Sequence, residues 1–101
     1  MPAAKKYDLL VKNVRIVRPG KSSVQKGDVA IANGKFARVG RDFPPAEARE
    51  VVDGKVLLAF PGLVDPHMHC GIYSPLAEDA VTESRAAAQG GVTSSINYFR
   101  T

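Results

Sequence analysis

Tryptophan is absent from this 101-residue chain, cysteine occurs once, and aromatic residues make up only 7% of it. The single thiol, Cys70, excludes an internal disulfide and suits a reducing compartment, so the cytoplasm is the expected location. No apolar stretch reaches the length of a signal-peptide core or a membrane span, so neither a targeting segment nor a membrane partner is expected. Dense basic runs are missing as well. Twelve of the fourteen Lys and Arg precede Pro61, against six of the ten acids, and they alternate with apolar residues instead of clustering. That pattern is a solvated sheet face rather than a nucleic-acid surface. What is present, 45% hydrophobic residues without repeats or low-complexity tracts, is the material of a small globular domain.

Read in order, the first sixty residues carry strand signals. The runs Asp8–Val11, Val14–Arg18, Asp28–Ala32, Lys35–Val39, Glu50–Asp53 and Val56–Phe60 are short and rich in β-branched residues, and Val14-Arg15-Ile16 alternates as a one-face-buried sheet requires. Pro19-Gly20 and Gly54-Lys55 read as turns, Asn33-Gly34 as a tight hairpin, and Pro44 to Ala48 as a loop or frayed turn. After Gly71 the period changes. Ala77, Ala80, Val81, Ser84, Ala87 and Ala88 fall on one helical face, with Ser74 and Pro75 suited to the N-cap and first helical position and Gly90-Gly91 to the stop, so the expected helix runs from about Pro75 or Asp79 to Gln89. Val92–Phe99 returns to strand character. The fold class is therefore α/β with a leading all-β part, and a right-handed parallel crossover is expected in the strand-helix-strand segment.

The two parts meet at Phe60-Pro61-Gly62-Leu63-Val64-Asp65-Pro66-His67-Met68-His69-Cys70-Gly71. Alternation puts His67 and His69 on one strand face, with Asp65 one step deeper, while Pro61-Gly62 and Gly71 bracket the strand. The histidines then stand at its C-terminal end, where parallel α/β folds carry their sites. Spacing alone leaves two readings open, a pair of metal ligands or a pair of exposed or satisfied histidines. Pro66 removes a ladder donor from this strand. Met68 and Cys70 alternate to the other face, which makes Cys70 a buried, inert thiol rather than a third ligand.

Pro-Gly-Leu-Val-Asp-Pro-His-Met-His resembles the first barrel strand of the metal-dependent amidohydrolase superfamily, specifically its cyclic-amidase branch of dihydroorotases, hydantoinases (dihydropyrimidinases) and allantoinases. The resemblance covers nearly the whole chain, including the Asn-Gly hairpin and Ser-Arg-Ala-Ala-Ala-Gln-Gly-Gly-Val-Thr. It implies that residues 1–60 are the N-terminal part of a β-sandwich domain. Residues 61–101 are then the first strand, helix and second strand of an incomplete (β/α)8 TIM barrel. It further implies one or two divalent metals, usually zinc, with His67 and His69 as the first two ligands, a small cyclic amide or ureide as substrate, and a homo-oligomer. In that chemistry a metal-activated hydroxide attacks the amide carbonyl. The remaining ligands and the proton-shuttling acid have no counterpart here, so no catalytic residue is assignable within this chain.

Asp65 has two readings, a carboxylate that orients a ligand histidine or one that caps backbone amides at the strand end. Two departures from the dihydroorotase pattern bear on substrate. Gly71 stands where those enzymes carry an arginine for the substrate carboxylate, and Arg100 stands where they carry an asparagine. Arg100 either recognises an anionic substrate group or is an exposed strand-end arginine. These departures count against a standard dihydroorotase and leave hydantoinase-like or other cyclic-amide or ureide hydrolysis open. A fold relative without catalysis and a small scaffold or binding module are the alternatives from other classes. The 101 residues alone fall short of a working barrel, which needs about 250 residues.

Overall fold

The computed structural model describes residues 4–100, and the chain divides into two compact units, one ending at Pro61 and the other beginning at Gly62. In the first unit a single long strand, β1 (Tyr7–Ile16), is paired on both sides. It runs antiparallel to β2 (Gln25–Ala32), which turns into the antiparallel β3 (Lys35–Gly40). After a 3-10 turn at Pro45–Glu47 the chain returns on the far side of β1 as β4 (Ala48–Asp53), parallel to it, giving the order β3-β2-β1-β4. A two-residue strand, β5 (Leu58–Ala59), continues along the same side of β1 at Arg15 and Ile16.

The Asn33-Gly34 hairpin forms as the residues dictate: both stand in the left-handed region, with φ of 54° and 73°, the backbone of a two-residue turn that matches strand twist. The two strands expected at Asp8–Val11 and Val14–Arg18 are one strand interrupted at Lys12-Asn13, where Asn13 has φ 60° and the β2 register shifts. The opposite edge bends in step. Gly54 N–H donates to Lys12 O at 2.6 Å, Val56 N–H to Asn13 O at 2.8 Å, and Leu57 N–H closes back onto Gly54 O at 2.8 Å. The strand expected over Val56–Phe60 is accordingly shortened to Leu58–Ala59, because Lys55 and Val56, with φ 51° and 60°, are spent on this turn. A Cβ on Gly54 would collide with Val14 and with the Lys12 carbonyl, so only glycine lets the bend approach β1.

Tyr7, Leu10, Ala30, Phe43 and Ala48 form the core of this unit, with Leu10 and Ala30 fully buried. The other sheet face stays open as an apolar groove of about 410 Å³, lined by Val11, Val29, Ile31, Phe36, Val39 and Phe60 among others. Phe36 is 77% exposed there.

Asp28 is the buried carboxylate of the sheet, and it accepts from three donors. These are Asn13 N–H at 2.9 Å, Lys12 Nζ at 2.9 Å and Phe43 N–H at 3.1 Å. Lys12 Nζ also donates to Phe43 O at 2.6 Å. Burial alone would raise the Asp28 pKa, but the Asn13, Lys12 and Phe43 donors together outweigh it and hold the carboxyl below its ordinary value.

In the second unit β6 (Leu63–Cys70) and β7 (Val92–Phe99) form a two-stranded parallel sheet, joined by α1 (Leu76–Gln89). The helix begins one residue after the earlier of the two expected starts, Pro75, and not at the later one, Asp79; its N-cap is Pro75, whose carbonyl takes Glu78 and Asp79 N–H, and Ser74 makes no cap. Gly90 and Gly91 end it, Gly91 at φ 95°. None of the helix residues is fully buried. Ala80, Ser84, Ala87 and Ala88 face Met68 and Cys70 across an open space of about 460 Å³, so small side chains line the gap without filling it. No helix among the described residues is long and apolar enough to cross a membrane.

A folded-state pKa held down stabilises the fold above the unfolded value, and that contribution is lost as the pH falls through the depressed one. Removing the Asp28 carboxylate also strands the Asn13 and Phe43 amides and the Lys12 charge. Asp28→Ala is expected to cost about 2–3 kcal/mol at neutral pH, and the gap to wild type should close as the pH drops below about 4. Urea unfolding at a series of pH values measures both.

Candidate functional site

The site is built on the last residues of β6. Its pairing with β7 runs Asp65 to Ser95 and then Met68 to Asn97, so β6 spends one extra residue between them. That bulge absorbs Pro66. The proline, which has no N–H to give, sits where the ladder is interrupted anyway. Asp65 closes the bulge: its Oδ1 accepts the His67 backbone N–H at 3.0 Å. The carboxylate thus meets the main chain of His67, and the irregularity breaks strict alternation between residues 65 and 67.

Past the bulge, alternation resumes. Met68 and Cys70 point toward α1, with Cys70 2% exposed, and His67 and His69 lie on the other face. The two Nε2 atoms are 2.7 Å apart and the ring centroids 4.6 Å. Which ring donates depends on the tautomers, and in either case the accepting Nε2 presents a lone pair that its neighbour's N–H engages. Two nitrogens each bound about 2.1 Å from a tetrahedral ion stand about 3.4 Å apart. To chelate an ion the pair would widen by about 0.7 Å and both rings would turn an Nε2 lone pair from each other toward the shared ion. The donor chemistry therefore fits a divalent metal, and it fits two ligand positions only. Among the described residues no group of three or more His, Cys, Asp or Glu is arranged to hold a metal.

Gly71 ends the strand at φ 86°, and its N–H donates to Asp79 Oδ2 of α1 at 2.8 Å. A Cβ at Gly71 would collide with the Arg100 carbonyl oxygen. Arg100 follows β7 and is exposed, and its backbone N–H donates to Cys70 O at 3.0 Å, which brings its main chain beside Gly71 at the histidine end of the sheet. Sequence reasoning missed two members of this region. Tyr98, paired with His69 in the ladder, lays its ring 4.4 Å from that of His67 and 5.7 Å from that of His69. Asp79 holds the Gly71 turn. Tyr98 shares a period-two face with Val92, Ser94 and Ile96, but its partner strand and register were not readable from that pattern.

No protein-family model matches the chain. Among curated proteins it is similar to allantoinase from Escherichia coli strain SMS-3-5, 39% identical over 93 residues that make up 89% of this chain and 19% of that protein. Allantoinase from Escherichia coli O139:H28 (strain E24377A) is 38% identical over the same lengths. Among solved structures it is similar to L-hydantoinase (dihydropyrimidinase) from Arthrobacter aurescens, with a TM-score of 0.76 and 31% identity. That match covers 90% of this chain and 20% of the hydantoinase. The chain thus spans about a fifth of the length of the relatives it matches. These homologues are amidohydrolases acting on cyclic amides.

The Asp65 contact makes a direct prediction. Asp65→Asn keeps an oxygen for the His67 amide and should leave stability nearly unchanged, whereas Asp65→Ala removes it and should cost about 1 kcal/mol. Hydrogen exchange at the His67 amide should accelerate in Asp65→Ala alone.

Proposed function

We propose, from this homology to allantoinase and hydantoinase, that the chain is the N-terminal portion of a metal-dependent cytoplasmic hydrolase acting on the carbon-nitrogen bonds of cyclic amides or ureides. The observation that carries the metal part of this reading is the convergence of His67 and His69 Nε2 at 2.7 Å on the C-terminal end of a parallel strand. Residues 1–60 are the N-terminal part of a β-sandwich domain, a reading supported by a sheet with one packed face and one open apolar face. Residues 61–101 supply the first strand, helix and second strand of the barrel, and the complete protein is a homo-oligomer.

His67 and His69 would hold one divalent ion through neutral imidazoles, zinc being the metal the family resemblance implies. When bound, such an ion polarises an amide carbonyl and lowers the pKa of coordinated water. The chain's own contribution is positional. The Pro66 bulge and the Asp65 bond fix the His67 backbone, and the Asp79–Gly71 bond anchors the turn that follows His69. The remaining ligands and the general base come from parts of the complete protein outside these residues, so the 101-residue chain alone is inactive.

The test is elemental analysis and turnover of hydantoin, dihydrouracil and allantoin by the complete protein, by its His67→Ala/His69→Ala variant and by the 101-residue chain. Zinc and turnover in the complete protein only are expected. Equal metal content in the double variant would refute the ligand assignment.

Arg100 takes over recognition of an anionic group on the substrate, a role supported by its place beside Gly71, the position that has no side chain to offer. A guanidinium binds a carboxylate through two parallel hydrogen bonds that lysine reproduces poorly. Arg100→Lys in the complete enzyme is expected to raise KM for an acidic substrate about tenfold while leaving a neutral one unaffected. An unchanged KM for the acidic substrate retires the role.

A further inference from the structure

Three rings meet at the end of the small sheet. Tyr98 lies within 4.4 Å of the His67 ring at an interplanar angle of 35°, and within 5.7 Å of the His69 ring at 31°. The two imidazoles stand 4.6 Å apart and nearly edge to face. Each of the three residues is exposed, Tyr98 by 49%, so no surrounding core holds these rings in place. A solvent-exposed histidine samples several rotamers, and besides the 2.7 Å contact between the two imidazoles the ring of Tyr98 is what the structure places against both. His69 and Tyr98 are ladder partners in parallel strands, which sends their side chains to the same face. The centroids stand at contact distance, and tilts of 35° and 31° lie between the stacked and edge-to-face arrangements.

We infer that Tyr98 is a positioning residue for the histidine pair: its ring restricts the rotamers of His67 and His69 so that their Nε2 atoms converge. The phenol itself makes no hydrogen bond among the described residues, so the ring face, not the hydroxyl, does this. In its consequence for metal affinity the inference rests on the ligand reading above, whereas the ring geometry itself does not. With the rings free to rotate, the ion would have to select the convergent rotamers from a larger set, and affinity drops by the fraction populated.

The experiment compares wild type, Tyr98→Phe and Tyr98→Leu in two readouts. The first is imidazole nitrogen and proton NMR of the metal-free 101-residue chain, with amide shifts across Val92–Phe99 reporting whether β7 persists. The second is cobalt titration of the complete protein, followed by its visible absorption. Tyr98→Phe should preserve the slow, distinct His67 and His69 ring signals and the cobalt affinity. Tyr98→Leu should average the ring signals toward free histidine and weaken cobalt binding about tenfold, as loss of groups that orient ligands commonly does. Unmoved ring signals in Tyr98→Leu with β7 intact overturn the inference. Averaged signals in Tyr98→Phe overturn it too, even if the leucine variant fails to fold, because that variant keeps the ring. Wild-type complete protein that takes up no cobalt, with ring signals that still respond to Tyr98→Leu, supports the positioning role and refutes the ligand reading instead.

Discussion

The leading sheet depends on where the three donors to Asp28 come from. Asn13 supplies an amide from the irregular step in β1, Phe43 supplies one from the loop after β3, and Lys12 supplies a charge that also reaches the Phe43 carbonyl. A carboxylate on β2 therefore fixes both the place where β1 kinks and the loop that delivers Phe43 into the core beside Tyr7 and Leu10. An ion pair at this depth adds little stability in itself, but unpairing it is costly, so departures from this arrangement of Lys12, Asn13 and Phe43 around Asp28 are penalised. Once β1 is kinked at Lys12-Asn13, the Gly54–Leu57 turn on its other edge can follow the same path. Val56 takes φ 60° to do so, a conformation a β-branched residue adopts only when its surroundings leave no alternative.

Much of this fold was legible because its signals are local. The Asn33-Gly34 turn, the alternation of Val14-Arg15-Ile16 and the change of period after Gly71 are each decided within a few residues. What was not legible depended on partners far along the chain. Residues 12 and 13 read as a gap between two strands because a kinked strand and a loop look alike until the distant Asp28 is known to bind there. Val56 reads as strand because its propensity says strand, and the geometry of β1 overrides it. Ser74 reads as an N-cap by residue type, yet Pro75 already presents a carbonyl to Glu78 and Asp79.

At the candidate site the pairing of His67 with His69 came through because it needs only the two-residue period. The position of Asp65 needed more. Counting by twos assumes an unbroken strand, and Pro66 is the residue that breaks it: the same missing N–H that counts against an interior strand is accommodated by a bulge. Asp65 then turns to the amide that the bulge leaves unpaired. Tyr98 was invisible for another reason. Its significance lies in a cross-strand partnership, and parallel register between strands separated by a helix is not encoded in either strand alone.

Gly71 and Arg100, the two departures from the dihydroorotase pattern, are physically one. At φ 86° a side chain on residue 71 is already disfavoured, and its Cβ would also strike the Arg100 carbonyl. The Arg100 amide meanwhile donates to Cys70 O, so the backbone of residue 100 is drawn in against the end of β6 and occupies the space a side chain at 71 would need. An arginine at position 71 and this closure of the two strands are mutually exclusive. The side chain available at this end of the sheet is thus the exposed one of Arg100, which follows β7, while residue 71 has no room for one.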